Sequence, residues 1–308
     1  MRSGSAIRLA VFAALLLAGC SRVQPQAAVA PQQPPFEFIG QWGVPGDDPG
    51  QLDDPVGPAV DTFGRVYLAS RGSGLLDKFD EAGVPLISFD ADGVRRASGI
   101  AVDTGGGIYI ADAAAGNIRV YFPEGDFLRS LPIAPERNFA GPFGLSVAAD
   151  GAVFVPDPTG GRIQVLSSQG KIERIWRVLP NAAAAKPSKP VVAAVGPDGF
   201  VYVGDAQTNG VVKFTREGVR VAAWDDSVDD PAPLLGLAVS SNYVFMLRGG
   251  SPRVVVWTLD GQRRLADNLG GRLDAAPGNA GSLALSPAGE LIVLDPSAPR
   301  VLRFRLHL

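Results

Sequence analysis

Gly99-Ile100-Ala101-Val102-Asp103-Thr104-Gly105-Gly106-Gly107-Ile108-Tyr109-Ile110-Ala111-Asp112 decides the fold, because the chain repeats it. The pattern returns as Gly144-Leu145-Ser146-Val147 with Asp150-Gly151-Ala152-Val153-Phe154-Val155-Pro156-Asp157, and as Val192-Ala193-Ala194-Val195 with Asp198-Gly199-Phe200-Val201-Tyr202-Val203-Gly204-Asp205. It returns again as Ser282-Leu283-Ala284-Leu285 with Gly289-Glu290-Leu291-Ile292-Val293-Leu294-Asp295. Weaker copies begin at Gly57 and Gly236. The anchors Val60, Val102, Val147, Val195, Val239 and Leu285 stand 42, 45, 48, 44 and 46 residues apart, the period of a β-propeller blade.

Each copy reads as four short strands. A small apolar strand, a glycine-containing turn and an apolar-aromatic strand lead through a polar loop into two further strands, as in Asn117-Ile118-Arg119-Val120-Tyr121-Phe122 and Asp126-Phe127-Leu128-Arg129. β-Branched and aromatic residues cut by Asp-Gly and Glu-Gly turns favour strands over helices. Ala59, Ala101, Ser146, Ala194, Ala238 and Ala284 are small where six first strands must crowd around an axis. The sixth copy ends at its third strand, Arg300 to Leu306, while Phe36 to Trp42 precedes the first copy as a spare strand. The expectation is an all-β, six-bladed propeller of four-stranded blades, the last completed by the N-terminal strand, which removes two open sheet edges at once.

These repeats resemble the NHL family, whose blades carry a Gly-Ile-Ala-Val-Asp, Gly-Ile-Tyr-Val-Ala-Asp and Arg-Ile-Gln-Val-Phe pattern. Gly161-Arg162-Ile163-Gln164-Val165-Leu166 is the clearest third strand, and the resemblance covers 36–308. It implies the fold and says little of activity, because the motif residues build blades and turns.

The N-terminus reads as an address. Arg2 and Arg8 precede an apolar run from Leu9 to Ala18 that ends in Leu17-Ala18-Gly19-Cys20, a signal-peptide pattern. It resembles the bacterial lipobox, which implies removal of 1–19, acylation of Cys20 and, with Ser21 following, a lipid anchor in an outer membrane. The stretch 20–35, rich in Gln, Ala and Pro, reads as an extended linker, and the propeller occupies 36–308.

Composition excludes much chemistry. The 308 residues hold one cysteine, Cys20, and one histidine, His307, so a disulfide framework, a Cys/His zinc site, a Ser-His-Asp triad and a Cys-His pair cannot form within one chain. The amidating lyase resembles this chain in its blades but uses histidine metal ligands, which are missing here. A net charge of -3, with 28 Lys+Arg against 31 Asp+Glu, gives no nucleic-acid footprint.

The loops between second and third strands open on the face that propellers use for binding. Four begin with Asp112, Asp157, Asp205 and Asp295, which read as caps on their own turns, while Ser70 and Arg248 break the rule. Arg71 and Arg248, in blades flanking the sixth, are placed to face an acidic group together, with Arg162, Arg253, Arg300 and Asn209 on the same candidate binding face. Two acidic clusters, Asp47, Asp48, Asp53 and Asp54 after Trp42, and Asp225, Asp226, Asp229 and Asp230 after Trp224, occupy matching inter-blade positions. They read first as solvated loops, then as a contact for a basic partner or for Ca²⁺, an oxygen-seeking ion. No other cofactor is expected.

The reading that follows is a non-catalytic, membrane-anchored, monomeric binding module of the bacterial envelope, presenting its loops to a protein or polysaccharide partner. The alternative is a metal-dependent, lactonase-like hydrolase with a divalent ion held in the central channel. Its Glu, Asn and Asp ligands do not map by motif onto Asn117, Asn138, Asn209 or Asn279.

Overall fold

Runs such as Val153-Phe154-Val155 and Val201-Tyr202-Val203 offer no polar alternate residue, so both faces of these strands must be covered. The computed structural model meets that demand by standing six sheets face to face around an axis. It describes residues 33–91, 93–94, 96–134, 141, 144–178, 187–225, 233–249, 253–271 and 281–308.

Blade one comprises β2 (Pro55–Val60), β3 (Val66–Ser70), β4 (Leu75–Phe79) and β5 (Pro85–Asp90); blade two comprises β6 (Ala97–Val102), β7 (Ile108–Asp112), β8 (Asn117–Tyr121) and β9 (Phe127–Pro132). Blade three is β10 (Ser146–Val147), β11 (Val153–Asp157), β12 (Arg162–Leu166) and β13 (Ile172–Arg177), and blade four is β14 (Pro190–Val195), β15 (Val201–Asp205), β16 (Gly210–Phe214) and β17 (Arg220–Asp225). Blade five is β18 (Leu234–Val239), β19 (Tyr243–Arg248), β20 (Arg253–Thr258) and β21 (Arg263–Asp267), followed by one 3-10 turn at Leu269–Gly271.

The sixth blade is assembled from both ends of the domain. Its order is β1 (Phe36–Trp42), β24 (Arg300–Leu306), β23 (Leu291–Asp295) and β22 (Ser282–Leu285). β1 runs antiparallel to β24 from Phe36↔Leu306 to Trp42↔Val301, with one irregularity between Phe38 and Gly40. The innermost strands touch in the circular order β2, β6, β10, β14, β18, β22 and back to β2, so the ring is closed as the spare strand led us to expect.

The second strands β3, β7, β11, β15 and β23 are buried along their whole length, because each is sandwiched between two neighbouring blades. Outer strands recover a polar face: β13 and β17 are largely exposed. Adjacent blades lock through an aromatic ring laid over a glycine turn. Trp42 covers Gly83, Phe89 covers Gly125, Trp176 covers Gly218 and Trp224 covers Gly261. At Gly83, with φ +87°, a Cβ would stand 2.1 Å from the Trp42 ring, so space and backbone both require glycine.

The aspartates of the repeat motif build the turns between first and second strands. Asp61 accepts from Phe63 N, Arg65 N, Arg65 Nε and the Tyr67 hydroxyl. Tyr109 likewise donates to Asp103, and Tyr202 to Asp198 at 2.7 Å. Burial beside a carboxylate pushes the Tyr109 hydroxyl up to about 12. At Asp198 burial works upward, but bonds from Tyr202, Lys213 and the Phe200 N–H outweigh it and hold the carboxyl below its usual range.

Candidate functional site

Six innermost strands that each pair with only one neighbour leave their other backbone edge facing the axis. There they enclose a channel cavity of about 270 Å³, walled by Gly57–Val60, Ile100–Val102, Gly144–Val147, Val192–Val195, Leu237–Val239 and Ser282–Leu285. The wall's polar side chains are Ser146 and Ser282 alone. Ser146 Oγ accepts the Val195 N–H at 3.1 Å, and Gly144 forms a parallel bridge with Val192, so blades three and four are bonded directly across the inner edge.

No carboxylate side chain lines this wall. Hard cations take several carboxylate, amide or carbonyl oxygens together, and among the described residues no group of three or more His, Cys, Asp or Glu is placed to hold a metal ion. Charge appears instead at the loop end of the channel, just before the innermost strands begin. Asp53 and Asp54 precede β2, Arg96 precedes β6, Lys189 precedes β14, and Ser282 opens β22. The Asp53 carboxylate lies against Gly72 in the loop between β3 and β4, and Ser282 lies against Gly236 of blade five.

The turn-capping aspartates behave as their loop chemistry requires. Asp112 Oδ1 accepts the N–H groups of Arg96, Ala114 and Ala115. Asp157 accepts Gly160 N and Arg162 Nε at 2.8 Å, while Asp295 accepts Ser297 N and both Arg300 Nε and Nη2. Arg162 and Arg300 therefore clamp buried carboxylates of their own blades rather than standing ready for a ligand. In blade four Gly210 occupies the arginine position, and a side chain there would meet the Trp224 carbonyl at 2.5 Å. Asp205 Oδ2 and Asn209 Oδ1 are buried there without a hydrogen-bond partner, and Asn209 adopts φ +52°.

The paired reading of Arg71 and Arg248 is corrected by burial. Arg248 is the last residue of β19, paired with Leu234 and Arg253, and is 0% exposed. It stands where the other blades keep their buried aspartates, so its side chain turns inward with them. Arg71 is on the surface and pairs with Asp54 at 3.4 Å. Arg253 opens β20, its side chain lying outside the described residues.

The first acidic cluster is spread out. Asp47 and Asp48 are exposed, Asp53 is half-buried and donates its backbone N–H to Ser70 Oγ, and Asp54 takes φ +49°. Asp225 ends β17 on the surface, whereas Asp226, Asp229, Asp230 and Cys20 lie outside the described residues. His307 contacts Glu37 at 3.0 Å beyond the end of β24, two strands out from the channel wall.

One buried acid escaped the sequence reading. Asp77, in the middle of β4, is 0% exposed, accepts Gly50 N at 2.9 Å and the Ser88 hydroxyl, and leaves Oδ2 without a partner. Burial pushes its carboxyl up. Gln164 plays the matching part in blade three, accepting Ala134 N at 2.8 Å, so this third-strand position pins the incoming loop. A polar residue inside an otherwise apolar third strand, Leu75-Leu76-Asp77-Lys78-Phe79, was the available signal.

No family model and no curated protein matches the chain by sequence. Solved structures do. A streptogramin B lyase superposes with a TM-score of 0.65 at 15% identity, over 88% of this chain and 98% of that one. Virginiamycin B lyase from Staphylococcus aureus gives 0.62 at 14% identity, covering 88% and 100%. A histidine-to-alanine variant of that lyase, described as catalytically inactive and solved with quinupristin, gives 0.62 at 16%, covering 88% of each chain.

At these identities the likeness shows the six-bladed propeller fold. It also corrects the expectation of a non-catalytic module. That expectation rested on the lack of the familiar catalytic residues in a propeller, whereas the three propellers named above are described as lyases or as an inactivated variant of one.

Proposed function

We propose that this chain is an NHL-type propeller enzyme that cleaves a small molecule at the loop end of its channel by lyase-type chemistry. The observation that carries the reading is the match of 88% of the chain to propellers described as lyases. Elimination needs a base for the proton and a cation or donor for the departing oxygen. At the loop end Asp53, just before β2, supplies a half-buried carboxylate, and Arg96 and Lys189, just before β6 and β14, supply positive charge; Ser282 is a hydroxyl of the channel wall.

The chain does not repeat its neighbour's dependence on histidine. Its one histidine is held by Glu37 outside the channel wall, so in this reading proton transfer passes to a carboxylate. The hydrolase alternative would need metal-binding carboxylates, and this wall is built from glycine, proline and aliphatic residues with two serines.

We also propose that the enzyme is exported and acylated at Cys20. The order of Arg2, Arg8, the run Leu9 to Ala18 and Cys20 supports this, and no helix among the described residues is long and apolar enough to cross a membrane.

The test is to incubate the purified chain with quinupristin and a panel of lactones and follow products by mass spectrometry. Ring opening by elimination conserves mass, whereas hydrolysis adds one water. Mass-neutral opening that falls at least tenfold in Asp53→Asn supports the reading; products that have gained water, or an Asp53→Asn variant as active as the parent, overturn it.

A further inference from the structure

Exposed apolar side chains are unevenly placed on this propeller. Among the described residues ten large ones are exposed, and Val44 and Ile175 apart, they gather at one end of the strands. Phe63 lies in the turn after β2; Val84 and Leu86 flank the start of β5; Phe122 and Phe127 bracket the turn into β9; Val219 lies in the turn before β17. This is the turn end, opposite the loop end that holds the channel mouth of the proposed site. Isolated exposed hydrophobics need no explanation, but a concentration on one end marks an interaction surface.

Two features say what that surface meets. The chain enters the fold at this end, where the Pro35 carbonyl accepts the His307 N–H beside the start of β1. The preceding 32 residues carry the apolar run Leu9 to Ala18 and Cys20. In addition, arginines stand over the exposed rings, Arg65 at 4.7 Å from Phe63 with its Nε bonded to Asp61, and Arg119 at 4.4 Å from Phe127 with its Nε bonded to the Tyr121 hydroxyl. An aromatic ring paired with a guanidinium suits the boundary between acyl chains and headgroup phosphates.

We propose that the turn end of the propeller rests on a lipid bilayer, with Phe63, Phe122 and Phe127 entering the interface and the loop end held toward solvent. The proposal rests on the export and anchoring reading for delivery to the membrane, and not on the enzymatic one. Docking of this kind fixes the orientation of the substrate mouth, which a flexible tether alone would leave free.

The test uses the full acylated chain in vesicles of phosphatidylethanolamine and phosphatidylglycerol, spin-labelled at Phe63→Cys, Phe122→Cys or, as control, Val44→Cys at the opposite end. All three sites are exposed, and circular dichroism confirms that each labelled chain is folded. Labels at positions 63 and 122 reached by oxygen and shielded from an aqueous nickel complex, with the label at 44 in water, support the proposal. Adding Phe63→Glu should then shift the label at 122 toward water by about tenfold in the docking equilibrium, the effect of withdrawing roughly half a phenylalanine from an apolar phase. Equal water access at 44, 63 and 122 on chains that float with the vesicles overturns the docked face and leaves the anchor standing. Chains that do not float overturn both.

Discussion

Replacing Asp77 by Asn should stabilise the propeller at neutral and mildly alkaline pH and leave it unchanged in acid. Asp77 holds the ring-closing segment between β1 and β2 through Gly50 N, and an asparagine Oδ1 keeps that bond and the one from Ser88. What changes is the second oxygen, fully buried and without a donor. A buried group left unsatisfied costs about 1–3 kcal/mol, more when it is charged, whereas the neutral amide forfeits only the smaller part. The variant should therefore gain about 1–3 kcal/mol at pH 8, a rise in melting midpoint of roughly 2–4 °C per kcal/mol for a domain of this size.

The sign follows from proton linkage. Burial raises the folded carboxyl above its usual value of 3.8, so the fold binds this proton more tightly than the unfolded chain. The group's contribution is complete below the unfolded value and is lost as pH rises through the folded one. Urea unfolding of both proteins across the acid-to-alkaline range gives a difference curve in which every shared carboxylate cancels. It should be flat near zero in acid and climb to its plateau by neutral pH. A difference independent of pH, or a variant weakened at pH 8, would refute the reasoning about Asp77.

Other substitutions separate buried from surface chemistry. Arg162→Met leaves the buried Asp157 carboxylate unpaired and should cost about 3–5 kcal/mol in urea unfolding, whereas Arg71→Met, beside exposed Asp54, should stay within about 0.5 kcal/mol. Asp198→Asn should show the opposite pH trend to Asp77→Asn. Its folded carboxyl is lowered, so its stabilisation is present above 3.8 and fades as pH falls through the folded value; the variant should be weaker by about 1–3 kcal/mol near neutrality and equal to the parent in strong acid. Gly83→Ala drives a Cβ into the Trp42 ring at a positive φ and should lower stability by about 3 kcal/mol, with the near-ultraviolet tryptophan signal changed.

The architecture was readable because a repeat writes the same physics six times. The Gly-Ile-Ala-Val-Asp copies mark innermost strands and their turns, and the mismatch between the spare strand at Phe36 and the short sixth copy foretold the β1–β24 pairing. Single loop residues were harder. Asp112 and Asp157 were legible as caps, because a carboxylate at that place serves its own turn. Arg248 was read as a loop residue free to bind because it breaks the aspartate rule, although its register with those aspartates already placed it at the buried end of a second strand. Asp77 hid in a strand, since of its partners Ser88 lies opposite it on β5 and Gly50 comes from the loop between β1 and β2, 27 residues away in sequence. The proposed site was not legible at all. Asp53, Arg96 and Lys189 precede three different innermost strands and Ser282 opens a fourth, and no local motif joins them.

The central claim is that this propeller turns over a small molecule. It is tested most directly by incubating the purified protein with a small-molecule extract of bacterial envelopes and following the mass features over time against the Asp53→Asn variant. The account predicts at least one feature that declines with the parent protein, is replaced by products, and persists with the variant. A profile in which no feature is consumed, or in which parent and variant consume the same ones equally, would contradict it.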